Sequence, residues 1–247
     1  MSAMLETSGL TMRFGGVVAV DRVDVKIHEG ELRCLIGPNG AGKSTFFKCL
    51  TGQYKPTSGT VHLREHDVTG WDSFAIARLG VGIKTQVPSV FDGLTVRDSV
   101  LIAARRRYGA ILARKRTDEV LGRIGIEDIA GKPVGLLSHG SRQLVELATV
   151  VASEPDLIIL DEPTAGMTAE ETARTAALIR QLNERHAIVV VEHDMQFIRS
   201  IAKTVTVFHQ GRVLIEDKVD VVLNDPVVRD VYLGKEPIRA AVGRVAA

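Results

Sequence analysis

The sequence predicts an α/β fold with a mainly parallel sheet at its core, an N-terminal antiparallel β-subdomain and a helical insert. Three observations carry this expectation. Residues 32–36, 157–160 and 187–191 are short, apolar runs, broken only by Arg33, the pattern of strands buried on both faces. Helix-period segments separate those runs, which is how parallel strands are connected. Residues 1–30 alternate apolar with polar instead, as half-buried antiparallel strands do.

Taken in order, Leu10 and Met12, Val18 and Val20, then Val23, Val25 and Ile27 alternate with polar residues, and Gly15-Gly16 breaks the run. A small antiparallel sheet follows from that pattern. The run 32–36 ends in a glycine-rich turn and 44–50 reads as a helix, so strand, loop and helix succeed one another. Between about Val90 and Ala152 strand signals fade, and helices are expected over 96–108, 111–124 and 141–151. Thr168-Ala169-Glu170-Glu171 is a capping box opening a helix whose apolar face includes Ala173, Ala177, Leu178 and Leu182. Val205-Thr206-Val207 and Val213-Leu214-Ile215 flank Gln210-Gly211 as a hairpin, with a short helix at 219–223. A single domain is expected over 1–247: core and β-subdomain from 1–88 and 153–235, helical subdomain from 89–152, and a frayed tail at 236–247.

Composition narrows the function. At 247 residues, 45% hydrophobic and 25% charged, this is a globular chain, and 31 Lys+Arg against 30 Asp+Glu leave a net charge of +1. No global field would hold it on nucleic acid or anionic lipid. The apolar runs fall far short of the roughly 20 residues that span a bilayer. Two cysteines, Cys34 and Cys49, and an N-terminus without the layout of a signal peptide point to a cytosolic protein with reduced thiols. Arg105-Arg106-Arg107 and Arg114-Lys115-Arg116 are the one basic concentration, and read as solvated helix faces.

The chemistry lies at the ends of the apolar runs, where ligands bind in such folds. Gly37-Pro38-Asn39-Gly40-Ala41-Gly42-Lys43-Ser44 fits the phosphate-loop pattern between a buried strand and a helix. Its glycines let N–H groups turn toward phosphate oxygens, Lys43 neutralises the β- and γ-phosphates, and Ser44 offers a hydroxyl to Mg²⁺. Asp161-Glu162 puts two carboxylates at the end of a second strand, the first suited to hold Mg²⁺ and the second to polarise the attacking water. Glu192-His193-Asp194 follows the third strand, where a neutral His193 can donate to a γ-phosphate oxygen or to the water. Leu137-Ser138-His139-Gly140-Ser141 opens an apolar helix, and its N-cap Ser138 and first-turn N–H groups suit an anion.

From about Leu5 to Gly234 the chain resembles an ATP-binding cassette ATPase, with motifs in the family's order. The phosphate loop is 37–44, Gln86 looks like the glutamine loop, 137–141 like the signature motif and 157–162 like the Walker B strand. Residues 165–168 occupy the D-loop, and His193 looks like the switch histidine. The spelling departs from most members at His139 and Ser141 in the signature, at Thr168 in the D-loop and at Thr85 before the loop glutamine. The resemblance implies a RecA-like phosphate-loop NTPase core, with ATP and Mg²⁺ as cofactors. It implies catalytic roles for Glu162, His193, Gln86 and Lys43, nucleotide contacts from Phe14, the phosphate loop, Thr45, Ser138 and Gly140, and metal contacts from Ser44, Gln86 and Asp161. Phe14 resembles the aromatic that stacks on adenine.

Arg13-Phe14-Gly15-Gly16, Leu50-Thr51-Gly52, Ala165-Gly166-Met167 and Val231-Tyr232-Leu233-Gly234 resemble the ATPases of branched-chain amino-acid importers. Ser138-His139-Gly140, residues 31–36 and residues 86–91 look closer to the urea branch of that group. The resemblance therefore implies an ATPase pairing with a second ATPase subunit, two ATP molecules sandwiched between them. Its expected partners are permease subunits met near residues 86–91 and, indirectly, a periplasmic or extracellular solute-binding protein, with no nucleic acid. Its expected place is the cytoplasm, on the inner face of the cell membrane. The rival expectation is a soluble cassette ATPase acting on nucleic acid or ribosomes, which usually carries a coiled-coil insert or a second cassette.

Overall fold

The computed structural model of the chain describes residues 3–232. The expected tail at 236–247 and the Leu233-Gly234 phrase lie outside them. The alternating opening forms β1 (Ala3–Phe14) and β2 (Val17–His28), paired antiparallel across Gly15-Gly16. Their inward residues Leu5, Leu10, Val20, Val23, Val25 and Ile27 are buried. β3 (Leu32–Ile36) runs through the glycine-rich loop into α1 (Lys43–Leu50). Four short elements without a distinct sequence pattern follow: β4 (Ser58–Leu63), β5 (His66–Asp67), α2 (Ser73–Arg78) and β6 (Val81–Lys84). β4 pairs with β1 and β5 with β4, which completes an antiparallel sheet of order β2-β1-β4-β5.

The insert holds α3 (Val96–Ala104), α4 (Ala110–Ile124) and α5 (His139–Ala152). α3 stops at Ala104 rather than at 108. Beyond it Arg107 donates to the Glu154 carbonyl at 2.6 Å and the Tyr108 hydroxyl meets the Glu154 carboxylate, so the chain turns toward the core instead of continuing as helix. Part of the basic run is thereby used internally: Arg116 pairs with the Glu154 carboxylate at 3.3 Å.

The chain then alternates through β7 (Leu157–Asp161), α6 (Ala169–Asn183), β8 (Ala187–Val191) and α7 (Met195–Ile201). It closes with β9 (Thr204–His209), β10 (Arg212–Lys218), α8 (Val219–Asn224) and α9 (Pro226–Tyr232). Thr168 and Glu171 form the capping box of α6. Gln210 and Gly211 both have positive φ, 47° and 79°, the mirror-image turn that matches the twist of a hairpin.

The second sheet has the order β10-β9-β3-β8-β7-β6, parallel except for β10. Its central strands are buried on both faces. Cys34, Ile36, Ile158, Leu160, Ile188 and Val190 pack with the helices of the insert and with α6 and α7. Leu35, Leu157, Ile159, Val189 and Val191 pack with Phe46 and Phe47 of α1 under the antiparallel sheet. This two-sided burial is why those strands read as nearly continuous apolar runs, Arg33 apart. The register Leu35↔Val191↔Asp161 brings the carboxyl ends of β3, β8 and β7 side by side. The phosphate loop, Glu162 and His193 therefore leave the sheet at one edge.

Candidate active site

The loop 37–42 closes over the end of β3. Gly37 has φ 150°, and a Cβ there would lie 2.3 Å from the Phe208 carbonyl oxygen; Gly42 has φ 101°, and its Cβ would lie 2.3 Å from that of Ala19. Neither position admits a side chain. Gly42 also caps α1 without a side chain, so the first-turn N–H groups face outward with the positive end of the helix dipole. Lys43 folds back, Nζ donating to the carbonyls of Gly37 at 2.6 Å and Pro38 at 3.1 Å. Burial lowers its pKa, and the charges of Glu162, Asp161 and Glu192 oppose that, so one ammonium faces three carboxylates.

Asp161 ends β7, 7% exposed. Its pKa is raised to about 6, by burial first and by the neighbouring Glu162 charge second, against the pull of Lys84, Lys48 and Lys43. Glu162 stands just past the strand with φ 44°, a left-handed conformation uncommon for a side-chain-bearing residue. Its N–H still donates to the Val191 carbonyl at 2.9 Å, so the twisted backbone remains tied to β8. Its carboxylate is met from two sides. Gln86 Nε2 donates to Oε2 at 2.8 Å, and His193 Nδ1 lies 3.4 Å from Oε1.

The structure thus gathers Lys43, Gln86, the adjacent Asp161 and Glu162, and His193 from four places in the sequence. Glu192 supports them from beneath. It is 2% exposed, accepts from the Thr164 hydroxyl at 2.5 Å and from the His193 N–H at 2.8 Å, and so fixes the backbone that carries His193. Phe14 sits at the end of β1, 44% exposed, with its ring edge-on to Tyr54 at 5.4 Å. That exposure sets it apart from the core. Ser138 caps α5, accepting from the Ser141 N–H at 3.3 Å, and Gly140 faces Glu171. Among the described residues no hydrogen bond joins either to the phosphate loop of the same chain.

Sequence reasoning missed Glu192, Lys84, Gln143 and Glu146 as parts of this site. The signal for the last two was present: polar residues inside the apolar stretch of α5. Lys84 carried none, since a lysine ending a short strand reads as exposed, yet it is 1% exposed. Among the described residues no cluster of three or more His, Cys, Asp or Glu could hold a metal.

A phosphate-binding loop on a parallel sheet, with carboxylates at the ends of adjacent strands, defines a phosphate-loop nucleotide hydrolase. The family model described as ABC transporter matches residues 20–165. The high-affinity branched-chain amino acid transport ATP-binding protein LivG of Salmonella typhimurium is 36% identical, over 94% of this chain and 98% of that protein. The lipopolysaccharide export system ATP-binding protein LptB of Acidithiobacillus ferridurans is 32% identical, over 96% and 99%. The dimeric structure of an ATP-binding cassette in a post-hydrolysis state, bound to ADP and Pi, superposes with a TM-score of 0.79 at 26% identity, over 87% of this chain and 99% of that one. The chain belongs to the ABC transporter family and is an ATP-binding cassette ATPase.

Proposed function

We propose that the chain energises uptake of branched-chain amino acids, or of a related small solute such as urea, through separate permease subunits. The observation that supports hydrolysis here is Glu162 held between Gln86 and His193 beside Lys43. The solute rests on the LivG likeness and the His139 spelling.

In this reading the outward N–H groups of the loop and α1 receive phosphate oxygens, and Lys43 exchanges its two carbonyl partners for the β- and γ-phosphates. Phe14 offers its ring face to adenine. Asp161 and Ser44, with Gln86, would hold Mg²⁺ through oxygen donors, the ligand type this ion takes. When bound, Mg²⁺ neutralises charge on the phosphates. Glu162 takes a proton from the attacking water as its oxygen bonds to the γ-phosphorus; the bond from that phosphorus to the β–γ bridging oxygen breaks, leaving ADP and phosphate. His193 donates to a γ-phosphate oxygen. Ser138 and Gly140 belong to the second nucleotide, on the phosphate loop of a partner ATPase subunit.

In the same proposal 1–88 and 153–235 form the core, and 89–152 the helical subdomain, which meets the permease near residues 86–91. Val87 and Phe91 there are exposed at 76% and 74%. Among the described residues no helix is long and apolar enough to cross a membrane, so the proposed place is peripheral, on the cytoplasmic face beside the permease. The test is uptake of labelled leucine and urea by a deletion strain carrying wild-type or Lys43→Ala gene. Wild type restores uptake of one of them and Lys43→Ala does not. Unchanged uptake of both on deletion overturns the solute reading; full restoration by Lys43→Ala overturns hydrolysis-driven transport.

A further inference from the structure

α5 carries one polar stripe that is exposed at its N-terminal end and buried further along, with Gln143 and Glu146 1% and 3% exposed. His139, Gln143 and Glu146 are four and three residues apart, which puts them along one face of the helix. Each meets a different part of the site. The His139 ring lies against Gly166, where a Cβ would come within 2.9 Å of Cδ2. Gln143 Nε2 donates to the Gln86 carbonyl at 3.2 Å and lies 3.1 Å from His139 Nε2. Glu146 Oε1 accepts from the Ser89 N–H at 3.1 Å and lies 3.3 Å from the Thr85 hydroxyl. Its other oxygen is 3.7 Å from Lys84 Nζ, and Lys84 in turn donates to the Thr85 carbonyl at 3.1 Å. Gln86 is therefore held at its own carbonyl and on both flanks, by residues of one helix and one buried lysine.

Stability does not account for the ion pair. Lys84 and Glu146 are 1% and 5% exposed in their side chains. Burial lowers the pKa of Lys84 and raises that of Glu146, each change opposing the charged form. An apolar pair of similar volume in such a place is commonly as stable or more so. What an apolar pair cannot do is accept from Ser89 and Thr85.

We propose that Glu146, held by Lys84, is a positioning residue for hydrolysis: it fixes the 84–89 turn so that the Gln86 side chain stays on Glu162. It also ties that turn to the helix whose N-terminus carries Ser138 and Gly140. The inference rests on the reading of Gln86 and Glu162 as groups at the γ-phosphate. Its consequence is that Gln86 at one nucleotide and the α5 N-terminus at the other move as one unit.

The test is steady-state ATP hydrolysis and nucleotide affinity of the purified full chain. The variants are Glu146→Ala and the double substitution Lys84→Met with Glu146→Leu, each with and without Gln86→Ala. Glu146→Ala lowers kcat about tenfold while KM moves less than about twofold, because the phosphate loop is untouched. The apolar pair keeps the thermal midpoint of wild type and retains the low kcat, and neither change lowers kcat further once Gln86 is alanine. Three results overturn the proposal: wild-type kcat in the apolar pair, losses that multiply with that of Gln86→Ala, or an apolar pair that unfolds as readily as Glu146→Ala. A wild-type chain no faster than Lys43→Ala overturns the ATPase site reading instead.

Discussion

Asp161 carries a carboxylate in a place that resists its charge. Burial and the adjacent Glu162 raise its pKa from 3.8 to about 6, and Mg²⁺ needs the ionised form. Below pH 6 a proton competes for the same oxygens. The Mg²⁺ concentration for half-maximal ATP turnover should rise about tenfold per pH unit below 6 and change little between 7 and 8. Magnesium titrations across that range check it, and a flat dependence counts against Asp161 as the ligand. The stability sign follows from the same shift. A folded pKa above the unfolded one means that the favourable contribution, complete below about 4, is lost as pH rises through 6. Without nucleotide or metal, Asp161→Asn should therefore unfold at a higher temperature than wild type at pH 7, and at nearly the same temperature at pH 4.

At the scale of elements, the N-terminus of α5 and the segment leading into α6 are fitted to each other. Gly166 has φ 72°, and the His139 ring fills the space a Cβ would need. Gly166→Ala should destabilise the chain through both effects, the left-handed backbone costing about 1 kcal/mol. Replacing His139 with glycine removes the ring, so the loss from Gly166→Ala should shrink by about 1 kcal/mol in that background. Chemical denaturation of the two single variants and the double variant measures the coupling; strictly additive losses would sink the contact. Element boundaries show the same interplay. α6 begins where its capping box predicts, because the cap is a local device of four residues, whereas α3 ends early because Glu154, distant in sequence, claims Arg107 and Tyr108.

The whole molecule presents half of each proposed site. Lys43, Asp161, Glu162 and His193 converge within the chain, while among the described residues no hydrogen bond joins Ser138 or Gly140 to the phosphate loop. Glu162→Gln preserves the side-chain shape and removes the base, so ATP should bind and stay. The expected outcome is a stable dimer in Mg-ATP that wild type forms only transiently. Gel filtration distinguishes it: a Glu162→Gln chain that elutes as monomer, with nucleotide binding intact, contradicts the two-subunit sandwich with Glu162 as base.

Much of the parallel core and of the residues gathered at the candidate site was legible in the sequence, for a physical reason. Two-sided burial writes itself as nearly continuous apolar runs, and a phosphate loop is a local arrangement whose glycines and lysine must be close together in the chain. β3, α1, β7, α6 and β8, with Lys43, Asp161, Glu162 and His193, followed from that. β4, β5, α2, β6 and α7 did not, being too short for a period to register and held by neighbours rather than by propensity. Only the tertiary structure decided that Gln86 reaches Glu162, that Glu192 underpins His193, and that Lys84 and Glu146 are buried together. Charged residues carry no mark of burial in sequence, because the partner that makes their burial tolerable lies far along the chain and is chosen by the packing of the helical insert against the sheet.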